Sequence, residues 1–371
     1  MPSIHVFEKT IKKEDTMAEK LTRRTALTAA AAVPAVFVKQ TYAEAQKKET
    51  SHPLGQGLQG SEWSRGPDRT LERDLTPGPT PIRLSCAAHR LYYPTDKSIT
   101  ERVKEIRDAG YTSTETSCRP SPRNEWLYCP ESDIVELKAA LKEYDVEFFD
   151  MMIWTNLIHP DRAQCQKNLK YVAENIEAAE RVGARSICAC TGGCDPDYYI
   201  GMHPDNWTKE TWKYTVDNIK QLIRDTAGCK TVIGVEAAVT TNIDGPLAHE
   251  RIMADVADDR CKITLDPTNM YTIANYYHST EMINRCFDMF GEDIMCCHGK
   301  DTFIERDKML AYLTMKPAGL GVQDYETYLV RMSHMKWPRT LHIEFATVEE
   351  YPAAKAFVEK TAAKVGVNIH Q

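Results

Sequence analysis

Four apolar stretches of this 371-residue chain each end in a side chain that can bind a metal ion. Their last residues are Glu236, Asp266, His298 and Glu344. A carboxylate at the end of a buried strand is costly unless a cation or a proton meets it there. If the four stretches are parallel strands of one sheet, their ends meet at the same edge. The four residues therefore predict one site assembled from four strand ends.

The expected donor set decides which ion such a site would prefer. Two glutamates, one aspartate and one histidine supply three anionic oxygens and one imidazole nitrogen. This mixture suits an octahedral divalent ion better than tetrahedral zinc, so Mn²⁺ is expected, with Mg²⁺ or Co²⁺ as alternatives. About two coordination positions would remain for adjacent oxygens of a substrate. The chain has no Cys-x-x-Cys pair, so a zinc–thiolate site is not expected.

The elements that would position these residues alternate regularly from Ile82 onward. Short apolar runs are predicted to end near residues 89, 115, 154, 191, 236, 266, 298 and 344, with amphipathic stretches between them. Strict alternation of strands and helices predicts a parallel sheet with helices outside, and eight such units predict a closed (β/α)8 TIM barrel. The active site of such a barrel lies at the C-terminal ends of its strands. The four metal-capable residues fall there.

An open, doubly wound sheet is the alternative architecture. It would need a glycine-rich phosphate turn after the first strand, and residues 87–90, Ala-Ala-His-Arg, do not form one. Within the barrel pattern, the longest helix is predicted over Arg162–Val182, ended by Gly183. Long loops are expected over residues 117–131, 191–205 and 301–322.

The first 81 residues are predicted to lie outside the barrel. Arg23 and Arg24 precede an alanine-rich apolar run over residues 26–38, and Ala43-Glu-Ala45 offers a cleavage site. Residues 1–45 are therefore interpreted as a twin-arginine export signal, which places the mature protein in the periplasm or outside the cell. A disordered tail with a chance arginine pair is the alternative. Residues 46–81, rich in glycine and proline, are interpreted as a linker or arm, and residues 82–371 as the barrel domain.

Composition bounds the classes of partner. The chain is 42% hydrophobic and 27% charged, with a net charge of -7, so it lacks the basic face that nucleic acid binding requires. The apolar run of the signal is too short to span a bilayer. Twelve cysteines raise the question of disulfides. Cys188, Cys190, Cys296 and Cys297 lie in strand-like runs and are interpreted as core residues, and the best candidates for a bridge are Cys118 and Cys129.

The order and spacing of several short motifs resemble the sugar phosphate isomerase/epimerase family. This family of xylose-isomerase-like TIM barrels includes ketose 3-epimerases and inosose dehydratases. The resemblance spans roughly residues 82–368. It rests on Gly110-Tyr111 through Glu115, Gly234-Val-Glu236, Leu265-Asp-Pro-Thr-Asn-Met270, His298-Gly-Lys-Asp301, the glycine-rich turn Gly319 to Tyr325, and Ile343-Glu344.

The resemblance implies that Glu236, Asp266, His298 and Glu344 are metal ligands. It also implies that Glu236 and Glu344 are the catalytic pair of an isomerase or epimerase acting on a sugar or keto-polyol. One glutamate would remove a proton next to a carbonyl and the other would return one, while the metal stabilises the enediolate. The chain departs from ketose epimerases at one point, because Asn269 stands where many of them carry a histidine.

A second departure from ketose epimerases is Asn242, which replaces a glutamate that contacts the sugar. These departures keep open a lyase or dehydratase acting on a keto-sugar, inosose or oxidised glycoside. A hydrolase of the AP-endonuclease type would need more histidines and a basic groove, and a non-catalytic sugar-binding barrel is a further alternative. Members of the family commonly pair, so the resemblance also allows a homo-oligomer.

Six further residues are candidates for contact with a small-molecule substrate, and each has a structural alternative. Trp154 could stack on a sugar or pack the barrel mouth, and Glu115 could bind substrate or pair with a cation inside the barrel. Lys300 could polarise a substrate carbonyl or form an ion pair with Asp301. The six candidates are His89, Glu115, Trp154, Asn269, Lys300 and Asp301.

Overall fold

The computed structural model of the protein describes residues 71–87, 97–118, 130–336 and 340–371, without the side chains of 116–118. The predicted export signal, most of the linker, His89 and the candidate bridge between Cys118 and Cys129 lie outside what is described.

The described part of the chain contains nine strands and eight α-helices, which alternate except where β8 directly follows β7. The strands are β1 (Arg83–Ala87), β2 (Ser113–Cys118), β3 (Glu147–Ile153), β4 (Ser186–Cys190), β5 (Val232–Glu236), β6 (Cys261–Leu265), β7 (Ile294–Ile304), β8 (Leu313–Pro317) and β9 (Thr340–Ile343). The helices are α1 (Ile99–Asp108), α2 (Glu131–Glu143), α3 (Arg162–Val182), α4 (Lys209–Asp225), α5 (Pro246–Val256), α6 (Ser279–Phe290), α7 (Tyr325–Ser333) and α8 (Tyr351–Val365).

Eight of these strands close into a parallel barrel. Each of β1 to β6 pairs in parallel with the next strand, β7 pairs with β9, and β9 returns to pair with β1. The helices follow the strands in sequence and lie outside the barrel, where the main hydrophobic core fills the space between the two layers. The predicted (β/α)8 TIM barrel is confirmed, and the open doubly wound sheet is excluded.

Local signals explain the helix boundaries. Asp161 caps α3 by accepting hydrogen bonds from the backbone N–H groups of Ala163 and Gln164, and Gly183 ends the helix in the left-handed conformation with φ 90°. At the start of α1, Ser98 and Glu101 form a reciprocal capping box. These caps make the ends of both helices visible in the sequence.

The long loop predicted over residues 301–322 is wrong. Strand β7 continues past His298 to Ile304 and pairs antiparallel with β8, so the two strands form a hairpin above the barrel. The β-branched and aromatic residues of Thr302-Phe-Ile304 favour extended structure and explain why the strand continues. The hairpin is amphipathic over only a few residues, too short for its period to be recognised.

The interior of the barrel is unusually polar. Side chains that can ionise are buried there on several strands, among them Glu115, Asp150, Glu236, His298 and His342. Burying so many ionisable groups is costly unless they neutralise one another or bind an ion. No helix among the described residues is both long and apolar enough to cross a bilayer.

Candidate metal centre

The four strand-end residues come together at the C-terminal mouth of the barrel. Glu236 is the last residue of β5, and His298 lies within β7. Asp266 follows β6 and caps a short 3-10 helix through a 3.0 Å hydrogen bond from the Thr268 amide. Glu344 follows β9. Each side chain is thus positioned by a different barrel strand.

One donor atom from each of the four side chains lies within 4.8 Å of the other three. His298 Nδ1 is the centre of this group, 2.9 Å from Glu236 Oε1 and 3.5 Å from Glu344 Oε1. Asp266, Glu236 and His298 are buried, and Glu344 is nearly so. We call these four residues the four-donor cluster.

Lys300 places a positive charge inside the four-donor cluster. Its ammonium Nζ lies 2.5 Å from Asp266 Oδ2 and also donates to Glu344. Lys300 follows His298 by two residues on β7, so strand alternation points both side chains into the barrel. The sequence suggested that Lys300 contacts substrate or pairs with an aspartate next to it. The structure instead pairs it with two of the predicted ligands.

These contacts shift the protonation of the cluster. Burial raises the pKa of Asp266 to about 7, although Lys300 opposes the shift. Burial also acts to raise the pKa of Glu344, but the charges of Lys300 and His298 outweigh it and hold this pKa well below its usual range. The pKa of Glu236 is lowered in the same way, with His298 outweighing the effect of burial. At neutral pH the two glutamates are therefore anionic.

The four-donor cluster fits a divalent cation. Three carboxylates and one imidazole converge on one region, and a buried ammonium already partly neutralises their charge. A donor set of oxygens with one nitrogen suits Mg²⁺, Mn²⁺ or similar ions. Glu236, Asp266, His298 and Glu344 are the residues that would hold the ion.

Two thiols hold the other oxygen of Glu236. Cys190 Sγ donates to Glu236 Oε2 at 3.3 Å and Cys188 Sγ donates to the same oxygen at 3.6 Å. Both cysteines lie on β4, which pairs with β5, and their spacing of two residues turns both thiols into the barrel. The sequence marked them as core residues. The spacing of two residues between Cys188 and Cys190, on the strand before Gly234-Val-Glu236, was the sequence signal that could have placed both thiols near the site.

Beneath the cluster lies a second layer of buried polar groups. His342 Nε2 is 3.0 Å from Glu115 Oε1, and the other ring nitrogen of His342 is 3.0 Å from Ser85 Oγ. Glu115 Oε2 lies 3.7 Å from His298 Nε2, on the side of the ring away from the four-donor cluster. Glu115 therefore lies inside the barrel between two histidines, as its structural alternative expected.

The comparisons with known proteins agree with this architecture. A family model described as "Xylose isomerase-like TIM barrel" matches residues 103–361. The chain belongs to this family. A search of curated proteins found no match.

Three solved xylose isomerase-like or related barrels share the fold at low sequence identity. A xylose isomerase-like TIM barrel protein from Mycobacterium smegmatis in complex with magnesium is 12% identical, with a TM-score of 0.56 over 77% of this chain and 98% of that one. D-psicose 3-epimerase from Clostridium cellulolyticum H10 is 11% identical, with a TM-score of 0.55 over 76% and 99%. The probable 3-DHS dehydratase AsbF from Bacillus anthracis is 14% identical, with a TM-score of 0.57 over 75% and 97%.

Within this xylose isomerase-like barrel, Asp301 has a structural role. Its carboxylate accepts hydrogen bonds from the backbone N–H groups of Thr302 and Gln323 at 3.0 Å and of Gly319 at 3.1 Å. A Cβ atom at Gly321 would collide with the Asp301 carboxylate, so the turn needs glycine there. Asp301 thus folds the glycine-rich turn against the hairpin, a role that its place in His298-Gly-Lys-Asp301 did not reveal.

The remaining candidates lie around the mouth of the family barrel. Trp154 is half-buried after β3 and packs edge-on against Tyr199, with ring centroids 6.0 Å apart. Asn269 is half-buried in the 3-10 helix after Asp266, and its backbone carbonyl accepts from the amide of Val239 at 3.1 Å.

Asn242 is held by two threonines. Its Nδ2 donates to Thr215 Oγ1 at 2.7 Å, and its Oδ1 accepts from the Thr191 hydroxyl at 3.2 Å. These bonds use the amide to join the loops after β4 and β5 to α4. A glutamate at this position would lose the donor to Thr215.

Proposed function

We propose that this protein is a divalent-metal-dependent isomerase or epimerase that acts on a sugar or a related keto-polyol by proton abstraction next to a carbonyl. The observation that carries the proposal is the four-donor cluster. Its two glutamates come from β5 and from the end of β9, which β6 and β7 separate in the barrel. Two anionic carboxylates from strands that are not neighbours, beside one cation site, suit the transfer of a proton to and from a bound substrate.

Each residue of the four-donor cluster would have its own role in the reaction. Glu236 and Glu344 are anionic and nearly dry, so each can accept a proton from a bound substrate without first being stripped of water. One would remove the proton and the other would return one. A divalent ion bound by the cluster would supply positive charge to the oxygens of the enediolate. Lys300, freed from its carboxylate partners by such an ion, could then donate to a substrate oxygen.

The architecture of related structures supports both the proposal and one alternative. D-psicose 3-epimerase shares this fold, which favours isomerisation or epimerisation. The probable 3-DHS dehydratase also shares it, and dehydration begins with the same proton abstraction. Asn242 and Asn269, which depart from ketose epimerases, favour a lyase or dehydratase on a keto-sugar, inosose or oxidised glycoside as the second candidate.

Hydrolysis in the manner of an AP endonuclease receives less support. That chemistry needs several histidines around more than one ion and a basic groove for DNA. The four-donor cluster contains one histidine, and the chain carries a net charge of -7. A small-molecule substrate fits these features better than nucleic acid does.

Metal identity and location complete the proposal. The cluster suits Mn²⁺ as the ion to test first, with Mg²⁺ and Co²⁺ beside it, and one structure of this fold is in complex with magnesium. The arginine pair and apolar run near the N-terminus support export to the periplasm or beyond by the twin-arginine route. Measuring the cellular fraction in which the mature chain accumulates tests the proposed export.

A substrate screen with matched variants tests the proposed activity. Free, phosphorylated and 3-keto sugars are incubated with the protein and Mn²⁺, and isomerised or dehydrated products are measured. Glu344→Gln should abolish turnover while keeping the fold. Glu349→Gln, on the exposed loop that follows, should leave turnover unchanged. Equal activity of the Glu344→Gln and Glu349→Gln proteins would refute the assigned role.

A further inference from the structure

We propose that the barrel interior binds a second metal ion of the zinc class, beneath the four-donor cluster and sharing His298 with it. Its ligands would be Glu115 on β2, Asp150 on β3, and Cys296 and His298 on β7. One donor atom from each lies within 4.8 Å of the other three, and all four side chains are buried. We call these residues the lower cluster.

The geometry of the lower cluster is close to that of a bound ion. Zinc is held at about 2.0–2.3 Å from its ligands, which places tetrahedral ligand atoms about 3.3–3.8 Å apart. The observed separations of up to 4.8 Å therefore need a closure of about 1 Å. Small rotations of the Glu115 and Asp150 side chains supply such a movement without a change in the strands.

The second observation is a set of unused polar atoms that point at the same place. Glu115 Oε2, Asp150 Oδ2 and His298 Nε2 are buried and make no hydrogen bond within the described parts of the chain. The opposite oxygens are occupied, because Glu115 Oε1 meets His342 and Asp150 Oδ1 accepts from Ser186 Oγ at 2.8 Å. Each carboxylate is thus anchored through one oxygen and leaves the other for a ligand. Buried polar atoms without partners are rare, so these atoms favour an occupant in this space.

Charge distinguishes an ion from a water molecule as the occupant. Glu115 and Asp150 bring two acidic groups into a dry interior, where the two histidines His342 and His298 face Glu115. A water molecule would satisfy the hydrogen bonds of these atoms but would not stabilise both acidic groups in their ionised form. A divalent cation compensates both carboxylates at once.

The donor types identify the class of ion. A thiol, an imidazole and two carboxylates match the sulfur, nitrogen and oxygen ligands of tetrahedral Zn²⁺ and do not match Mg²⁺ or Ca²⁺, which take oxygen. The Cys296 proton would leave to solvent as the thiolate forms. The ligands come from three strands, so no short sequence motif contains all four of them.

His298 would join the two metal sites. Its Nδ1 faces Glu236 and Glu344 in the four-donor cluster, and its Nε2 faces Glu115 in the lower cluster. To ligate both ions, His298 would have to release its ring protons to solvent, and each ring nitrogen would then serve one cluster. The lower ion would also fix the orientation of the ring, as outer partners of metal-bound histidines do.

Cobalt titration of the full chain tests the proposal, because Co²⁺ replaces Zn²⁺ and shows a near-ultraviolet charge-transfer band when a thiolate binds it. The metal-stripped protein should develop this band, and so should Glu344→Gln, which disables the four-donor cluster and separates the two proposals. Cys296→Ser should lose the band. The matched variant Cys297→Ser should keep it, because that buried thiol lies against Tyr328.

Two further measurements keep the test decisive if Cys296→Ser folds poorly. Asp150→Asn, nearly identical in shape, should bind Co²⁺ at least tenfold more weakly at the site that gives the band. The double variant Cys188→Ala/Cys190→Ala, which removes the thiols beside Glu236, should retain the band. Absence of the band in the wild-type protein would overturn the proposal. So would its loss in the double variant with retention in Cys296→Ser.

Discussion

Replacing Lys300 with methionine tests whether its ammonium holds the place of a metal ion. Lys300 is 4% exposed and Asp266 is 1% exposed, and Nζ lies 2.5 Å from Asp266 Oδ2. Removing one partner of a buried ion pair leaves an uncompensated charge and costs about 3–5 kcal/mol. In the presence of a chelator, Lys300→Met should therefore lower the free energy of unfolding by about that amount.

The same substitution should strengthen metal binding. In the wild-type protein an incoming ion must displace the Lys300 ammonium from Asp266 and Glu344, whereas in Lys300→Met no ammonium competes with the ion for those carboxylates. If about 3 kcal/mol of the lost stability is recovered on binding, affinity rises by about a hundredfold. Isothermal titration with Mn²⁺ and urea unfolding with and without the ion measure both effects.

Lys262→Met is the matched control. Lys262 Nζ lies 2.7 Å from Asp293 Oδ1, but the two side chains are 13% and 37% exposed, and Lys262 lies near the start of β6. A pair that is partly open to solvent contributes at most about 1 kcal/mol, and its loss should not change metal affinity. Unchanged stability of metal-free Lys300→Met, or weaker Mn²⁺ binding by it, would refute the reasoning.

Three further predictions follow from the site and its surroundings. Burial raises the pKa of Asp150 to about 7, so the folded, metal-free chain keeps this proton at pH values where the unfolded chain, with a pKa near 4, has lost it. The free energy of unfolding in urea should therefore fall by about 1.4 kcal/mol per pH unit between about pH 4 and 7, relative to Asp150→Asn. Parallel pH profiles of the two proteins would contradict this. Asp301→Ala should lower the free energy of unfolding by at least about 3 kcal/mol, because three backbone donors lose their acceptor. A loss below about 1 kcal/mol would exclude the structural role. Duplex DNA with an abasic site should remain uncut in a gel assay with Mn²⁺ or Zn²⁺, since the chain carries a net charge of -7.

The barrel and the convergence of the four strand-end residues could be predicted because their signals are local. Asp161 and Gly183 mark the ends of α3 through backbone capping, and the predicted bounds Arg162–Val182 match the structure. Several apolar runs that each end in a metal-capable side chain suggest that these side chains form one site. Once the strands are parallel, their ends must meet, so the proximity of Glu236 and Glu344 follows from the topology.

The surroundings of the ligands depend on register, which the sequence does not display. The pairing of β7 with β9 sets His298 opposite His342, and that of β2 with β3 sets Glu115 opposite Asp150. A shift of one residue would have turned these side chains out of the barrel. For the same reason the pairing of Lys300 with Asp266 and Glu344 could not be predicted from its position.

Hydrogen exchange between substrate and solvent tests the central claim most directly. Candidate keto-sugars are incubated with the Mn²⁺-loaded protein in deuterated water, and deuterium at the carbon next to the carbonyl is followed by NMR. The proposed mechanism predicts incorporation at that carbon by the wild-type protein and by Glu349→Gln, and none by Glu344→Gln or Glu236→Gln. Hydrolysis of a substrate in the same panel without any incorporation would contradict it.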